Sequence, residues 1–250
     1  MEKNYKAKPL NLNNNSAVDL IVPFHGQYER TCRLIESIHK TVRIKYELIL
    51  VDDHSPNEHF HKTLQASKVR VIRNSQQLGF GGSLQVGWKA SSNPIIIFLH
   101  SDCVMNYGCI DLLIKDLVEL KGENVAMVSA RTDNAGEADP RLVAKRGETG
   151  DAVILDLGYI PFFCVASWRN VFDKVGFIRP YFPAGYEDEE FAYRLQYYKY
   201  KQAISGRAWV HHEGAATIQD LCKIDSGVKD LMENNRNFCL EDLRKLFSKG

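Results

Sequence analysis

The chain has 250 residues, 44% hydrophobic and 25% charged, and its 32 Lys and Arg against 31 Asp and Glu leave a net charge of +1. These are globular proportions, enough for one large domain or two small ones, and the near-zero charge excludes the electrostatic footprint of a general nucleic-acid binder. The apolar run Ile95–Leu99 falls far short of the roughly 18 residues a membrane span needs. The N-terminal MEKNYKAKPLNLNNNSA has no apolar stretch that could serve as a secretory signal. A cytoplasmic location is therefore expected, with membrane contact limited to the bilayer surface.

Residues 1–17 are polar and Asn-rich and read as a loosely ordered leader. Short Val- and Ile-rich runs then alternate with helical patterns. Strands are predicted at 18–23, 46–51, 69–73, 95–99 and 125–130, and helices at 28–40, 58–66, 81–90 and 107–121. Runs that are apolar throughout suit strands buried on both faces of a parallel sheet, and Leu34, Ile35 and Ile38 mark one face of a helix. The order is βαβα, hence an α/β fold with a mostly parallel central sheet flanked by helices.

From Arg131 to Gly150 the composition shifts to Gly, Asp and Thr, a loop flexible by composition. A second half follows, with a strand predicted at 152–159, helices at 167–175 and 188–200, and a strand at 202–210. No Pro- or Ser-rich linker separates it from the first half. Residues 219–250 read as one or two surface helices, with Phe238, Leu240, Leu243, Leu246 and Phe247 on one stripe. The expected division is one domain over 18–217, split at 130, with a helical tail over 218–250.

Six scattered cysteines with no C-x-x-C pair read as buried small hydrophobes, and eight histidines without an H-E-x-x-H pattern give no structural zinc site.

In open α/β sheets ligands bind beyond the carboxyl ends of the strands. Those ends carry Pro23-Phe24-His25-Gly26, Asp52-Asp53-His54-Ser55, Arg73-Asn74 with Leu78-Gly79-Phe80-Gly81-Gly82, and His100-Ser101-Asp102. Carboxylates, small residues and an Arg thus converge on one edge, an inventory for nucleotide and metal binding. A dinucleotide-binding Rossmann domain needs G-x-G-x-x-G directly after its first strand, and the single Gly26 does not supply it. Asp52 or Asp53 is placed to bind a ribose or a base, or instead to cap the next helix. Glu187-Asp188-Glu189-Glu190 opens a helix, where carboxylates also complement the helix dipole.

Five segments in order, Val18–Pro23, Leu48–Ser55, Arg73–Phe80, Phe98–Asp102 and Gly185–Phe191 with Arg194, resemble the family 2 glycosyltransferases of the GT-A fold. The resemblance covers roughly residues 18–217. It implies a donor site for a nucleoside-diphosphate sugar in 18–130, formed by Pro23, Phe24, His25, Asp52, Asp53, Arg73, Gly79, Phe80 and Ser101. It implies an acceptor and catalytic half in 131–217. It implies that Asp102 is the last carboxylate of a D-x-D-type signature holding a divalent metal, with His212 completing the site in preference to His211.

The first signature position, ordinarily Asp, is His100 here, which suits Mn²⁺ better than Mg²⁺. The resemblance also implies that Asp188 is the base that deprotonates the acceptor hydroxyl, with Glu187 binding or orienting the acceptor, and that transfer inverts the anomeric configuration. Crowding of the four carboxylates should raise the pKa of one. UDP- and dTDP-sugars fit as donors, and a glycan, lipid-linked glycan or protein as acceptor. The 131–150 loop could close over both substrates. The alternatives are a non-catalytic sugar-nucleotide or glycan binding module and a nucleotidyltransferase. The latter would want a basic Gly-rich loop that PFHGQYER lacks.

Overall fold

The computed structural model describes residues 18–56, 64, 69–136, 138–214 and 227–248. The leader and the Ala215 to Thr217 stretch lie outside these residues. So does the helix expected over 58–66, apart from the buried Leu64.

Strand β1 (Val18–Phe24) is buried at every position and leads into α1 (Tyr28–Thr41), whose Leu34, Ile35 and Ile38 are buried. β2 (Tyr46–Asp52), β3 (Arg70–Arg73), α2 (Gly79–Ala90) and β4 (Ile95–Leu99) follow. β2 and β4 flank β1 and β3 flanks β2, all in parallel, so the expectation of a parallel sheet holds through the N-terminal half. Parallel neighbours need crossovers, and α1 and α2 supply two of them.

Beyond β4 the sheet is mixed. After β5 (Cys103–Met105) and α3 (Cys109–Glu119) come β6 (Val125–Thr132), β7 (Val153–Leu155), β8 (Cys164–Trp168), α4 (Arg169–Val175), α5 (Glu187–Tyr197), β9 (Lys201–His212) and α6 (Val228–Phe247). Among the described residues the order is β3-β2-β1-β4-β8-β6-β9-β5, with β7 also on β9. β8 runs antiparallel between β4 and β6, whereas β6 and β9 are parallel.

Several expected boundaries move. Residues 164–168 form a strand where the helix was expected to begin at 167, because Cys164–Ala166 fill the fully buried slot between β4 and β6. The strand expected over 152–159 is confined to Val153–Leu155, the part that pairs with β9. β9 runs on to His212 because β5 pairs with its last three residues.

The expected stripe of the tail helix α6 packs only in part: Leu243 and Leu246 are half-buried and Phe247 meets Tyr197 edge-on at 5.7 Å. Phe238, Leu240 and Phe247 are exposed, and Val228, Asn235 and Cys239 form its buried side. Asn235 donates to the carbonyls of Phe182 and Ala184 at 3.0 Å each, and Arg179 bridges Glu190 of α5 to Asp242 of α6. Polar anchors thus supplement the apolar contacts of this helix. No helix among the described residues is long and apolar enough to cross a membrane, and Cys32, Cys103, Cys109, Cys164 and Cys239 are free thiols.

Candidate active site

A cavity of about 250 Å³ opens at the carboxyl ends of β1, β2 and β4, where an open α/β sheet binds its ligands. Of the residues expected in the site, Pro23, Phe24, His25, Asp53, Gly79, Phe80, His100, Ser101, Asp102, Glu187 and Asp188 line it. His212 reaches its edge through Asp102 and His100. Asp52 and Arg73 do not line it. They pair with each other, Asp52 also accepts from the Ser55 N–H at 2.8 Å, and Arg73 donates to the Ser55 carbonyl at 2.8 Å.

Asp53 lines the wall with a carboxylate that is already engaged. It accepts from the N–H groups of Leu78 and Gly79 at 2.7 and 2.9 Å and from Asn74 Nδ2 at 2.9 Å. It thereby holds the turn into α2, whereas the helix directly after β2, expected at 58–66, lies outside the described residues apart from Leu64. The next residue ties this turn to the far wall, since Phe80 N–H donates to the Pro183 carbonyl at 2.9 Å. Gly79 allows that approach: its φ is +76°, and a Cβ there would lie 2.5 Å from the Pro183 oxygen.

His100, Asp102 and His212 form a cluster whose ligand atoms all lie within 4.8 Å of one another. His212 Nε2 is 3.4 Å from Asp102 Oδ1 and 3.3 Å from His100 Nδ1, and His100 Nδ1 is 4.0 Å from Asp102 Oδ1. Side chains alternate along β9, so His212 faces inward and is buried while His211 faces outward and meets Asp133.

Burial pushes the His100 imidazole down to about 4, helped by His212. Burial acts against the charge of Asp102, but the adjoining His212 and His100 outweigh it and hold the carboxyl well below the usual range. Burial also opposes the charge of His212, and Asp102 more than restores it, raising that imidazole. Among the described residues the buried Asp102 Oδ1 accepts no hydrogen bond, His212 Nε2 standing off at 3.4 Å. A buried carboxylate oxygen without a donor, faced by two imidazole nitrogens, fits a divalent cation of borderline softness.

At the other wall, α5 presents Glu187 and Asp188. The four clustered carboxylates go separate ways: Glu190 is buried in an ion pair with Arg194, its Oε2 2.6 Å from Nη2, whereas Glu187 and Asp188 face the cavity. Burial raises Asp188 to about 6, with the charge of Glu189 adding a little. Crowding was the expected cause, and burial is the larger one. Glu187, 3% exposed, is raised to about 8 by burial and then by Asp188. Among the described residues its Oε1 has no hydrogen-bond partner.

Several wall residues escaped the sequence reading. Ser83 and Gln77 sit on and before α2, Phe162 follows the β7 segment, and Met232 comes from α6. Met232 had no local signal, since only the packing of α6 brings it there. The 131–150 loop is anchored at several points. Leu142 within it is fully buried, Ala144 N–H donates to the Thr132 carbonyl at 2.9 Å, and Gly150 N–H donates to Gly206 at 2.8 Å. The loop is held at these points despite its flexible composition.

A parallel nucleotide-type half-sheet joined to a mixed half and flanked by helices, with a His–Asp–His cluster at the strand ends, defines a GT-A type glycosyltransferase domain. Residues 19–176 match Glycosyl transferase family 2, and the chain belongs to that family. It is similar to N-acetylgalactosaminyltransferase 6 of Drosophila melanogaster, 29% identical over 111 residues, 40% of this chain and 16% of the relative. It is 30% identical to polypeptide N-acetylgalactosaminyltransferase 10 of Rattus norvegicus over 97 residues, 35% of this chain and 16% of the relative. It is 27% identical to dolichol-phosphate mannosyltransferase of Pyrococcus furiosus over 89 residues, 34% of this chain and 25% of the relative. The chain thus spans a quarter or less of the length of these three relatives. Membership of the family supports glycosyl transfer as the activity.

Proposed function

We propose that the protein moves a sugar from a nucleoside-diphosphate sugar, a UDP- or dTDP-sugar, to a hydroxyl of a glycan, lipid-linked glycan or protein, with inversion. The carrying observation is that one cavity is lined both by Asp102, with His100 and His212 around it, and by Glu187 and Asp188. Donor contacts fall to Pro23, Phe24, His25, Gly79, Phe80 and Ser101, with Asp53 holding the turn and Asp52 and Arg73 paired with each other and with Ser55 at the neighbouring strand ends. The acceptor half is 131–217, with Met232 of the tail added to its wall.

Asp188, at about 6, is mostly ionised at neutral pH and still basic enough to take the proton from the acceptor hydroxyl. The acceptor oxygen bonds to the anomeric carbon as the bond to the diphosphate oxygen breaks, and one such displacement inverts the centre. Glu187, at about 8, is neutral at pH 7, so its unpartnered Oε1 is free to donate a hydrogen bond that orients the acceptor.

His100, Asp102 and His212 would hold the metal, Mn²⁺ in preference to Mg²⁺, since two imidazoles leave one carboxylate. When bound there, the cation supplies positive charge against the departing diphosphate. The reaction belongs to the cytoplasm or the cytoplasmic face of a membrane.

The test is nucleoside diphosphate release from UDP-, dTDP- and GDP-sugars with Mn²⁺, Mg²⁺ or EDTA, with candidate acceptors supplied. Release of one nucleotide that depends on Mn²⁺ and on acceptor is the expected result. Donor binding without turnover across the panel would overturn the reading in favour of a binding module.

A further inference from the structure

The turn after β6 is fastened to the end of β9, and its fastenings meet at His212. His212 Nδ1 lies 2.9 Å from the backbone carbonyl of Asn134. A carbonyl only accepts, so Nδ1 carries a proton, and the neutral ring keeps its lone pair on Nε2. That is the nitrogen facing His100 and Asp102. The His212 N–H donates to Asp133 Oδ1 at 3.2 Å.

The Asn134 side chain fixes the turn in two directions. Its Nδ2 donates to the Glu213 carbonyl at 2.9 Å, and its Oδ1 accepts from the Gly136 N–H at 3.2 Å. Gly214 makes room for it, since a Cβ there would lie 2.5 Å from Asn134 Nδ2 at a φ of +83°. The opposite flank is tied as well: Glu213 pairs with Arg30 and Arg33 of α1, and its N–H donates to the Asp102 carbonyl at 3.2 Å.

We propose that Asn134 is a positioning residue for metal binding. Its side-chain amide locks the turn whose carbonyl holds His212 in the Nδ1–H tautomer, so that Nε2 is presented with its lone pair free. The inference rests on the reading of His100, Asp102 and His212 as the metal site. Partners one step removed from a ligand set its tautomer and orientation, and their loss weakens metal binding by about 10–100-fold.

The test uses the full chain labelled with ¹⁵N-histidine. Long-range ¹H–¹⁵N imidazole spectra without metal, at alkaline pH, report the tautomer, and calorimetric titration with Mn²⁺ reports affinity. Wild type is expected to show the Nδ1–H tautomer at His212. Asn134→Ala is expected to mix in the Nε2–H form and to bind Mn²⁺ about 10–100-fold more weakly.

Asn134→Asp keeps an acceptor for Gly136 but loses the donor to Glu213, so it is expected to lie between the two, and it carries the test if the alanine variant does not fold. An Nε2–H tautomer in wild type, or unchanged tautomer and affinity in the Asn134 variants, overturns the proposal. His212→Ala separates the two claims. If it binds Mn²⁺ as wild type does, the metal-site reading falls and the proposal with it. If it loses Mn²⁺ while the Asn134 variants keep it, only the positioning role falls.

Discussion

Asp102 and Asp188 line one cavity and carry the same functional group, yet their surroundings drive them in opposite directions. Asp102 lies against two imidazoles that keep it ionised despite its burial. Asp188 accepts from the Glu189 N–H at 2.9 Å, yet burial dominates, lifting it to about 6. One wall thus carries a fixed negative charge and the other a proton acceptor tuned toward neutrality, a division made by environment rather than residue type.

The sharpest way to break this comparison is Asp188→Asn. Loss of a general base lowers acceptor-dependent turnover by about 10²–10⁴-fold, with donor binding retained, as measured by nucleoside diphosphate release and by donor titration. Wild-type turnover in this variant would mean that the two aspartates do not divide the labour. Asp102→Asn probes the other wall. Mn²⁺ affinity by calorimetry is expected to fall by at least the roughly 10–100-fold that follows loss of a ligand's outer partner.

A finer comparison lies in pH. A base must be deprotonated to act, so turnover should rise about tenfold per pH unit below about 6 and level off above it. A pH–rate profile with no limb near that value would remove Asp188 from the role.

The smallest effect concerns Glu187 and stability. Its folded pKa of about 8 lies above the ordinary 4.5, so between those values the folded chain keeps a proton that the unfolded chain has lost. Stability from this group therefore falls as pH rises across that window. Glu187→Gln should melt close to wild type at pH 5 and several degrees higher at pH 9, as read by thermal denaturation. A constant difference at both pH values would show that burial does not hold Glu187 neutral.

The N-terminal half was legible because its signals are local. The apolar-rich runs at 18–23, 46–51 and 95–99 became strands that are buried over most or all of their length, and the polar residues that follow them became cavity wall. β8 was not legible, since Cys164–Trp168 gains its strand character from being inserted between β4 and β6, which the chain reaches from far away. The preference for His212 over His211 came from the resemblance, and strand alternation to the end of β9 places the side chain of His212, and not that of His211, beside Asp102. Asn134 carried no mark beyond belonging to a polar turn, because its importance lies in contacts across 79 residues.

The placement of β8 also bears on synthesis. β4, five consecutive buried apolar residues, has β1 on one edge and β8 on the other. As the chain leaves the ribosome, the second edge stays open until residues 164–168 have emerged. An open apolar edge is a template for pairing with other chains. Truncations ending between β4 and β8 should therefore aggregate, and holdase chaperones should engage the nascent chain most strongly across that interval.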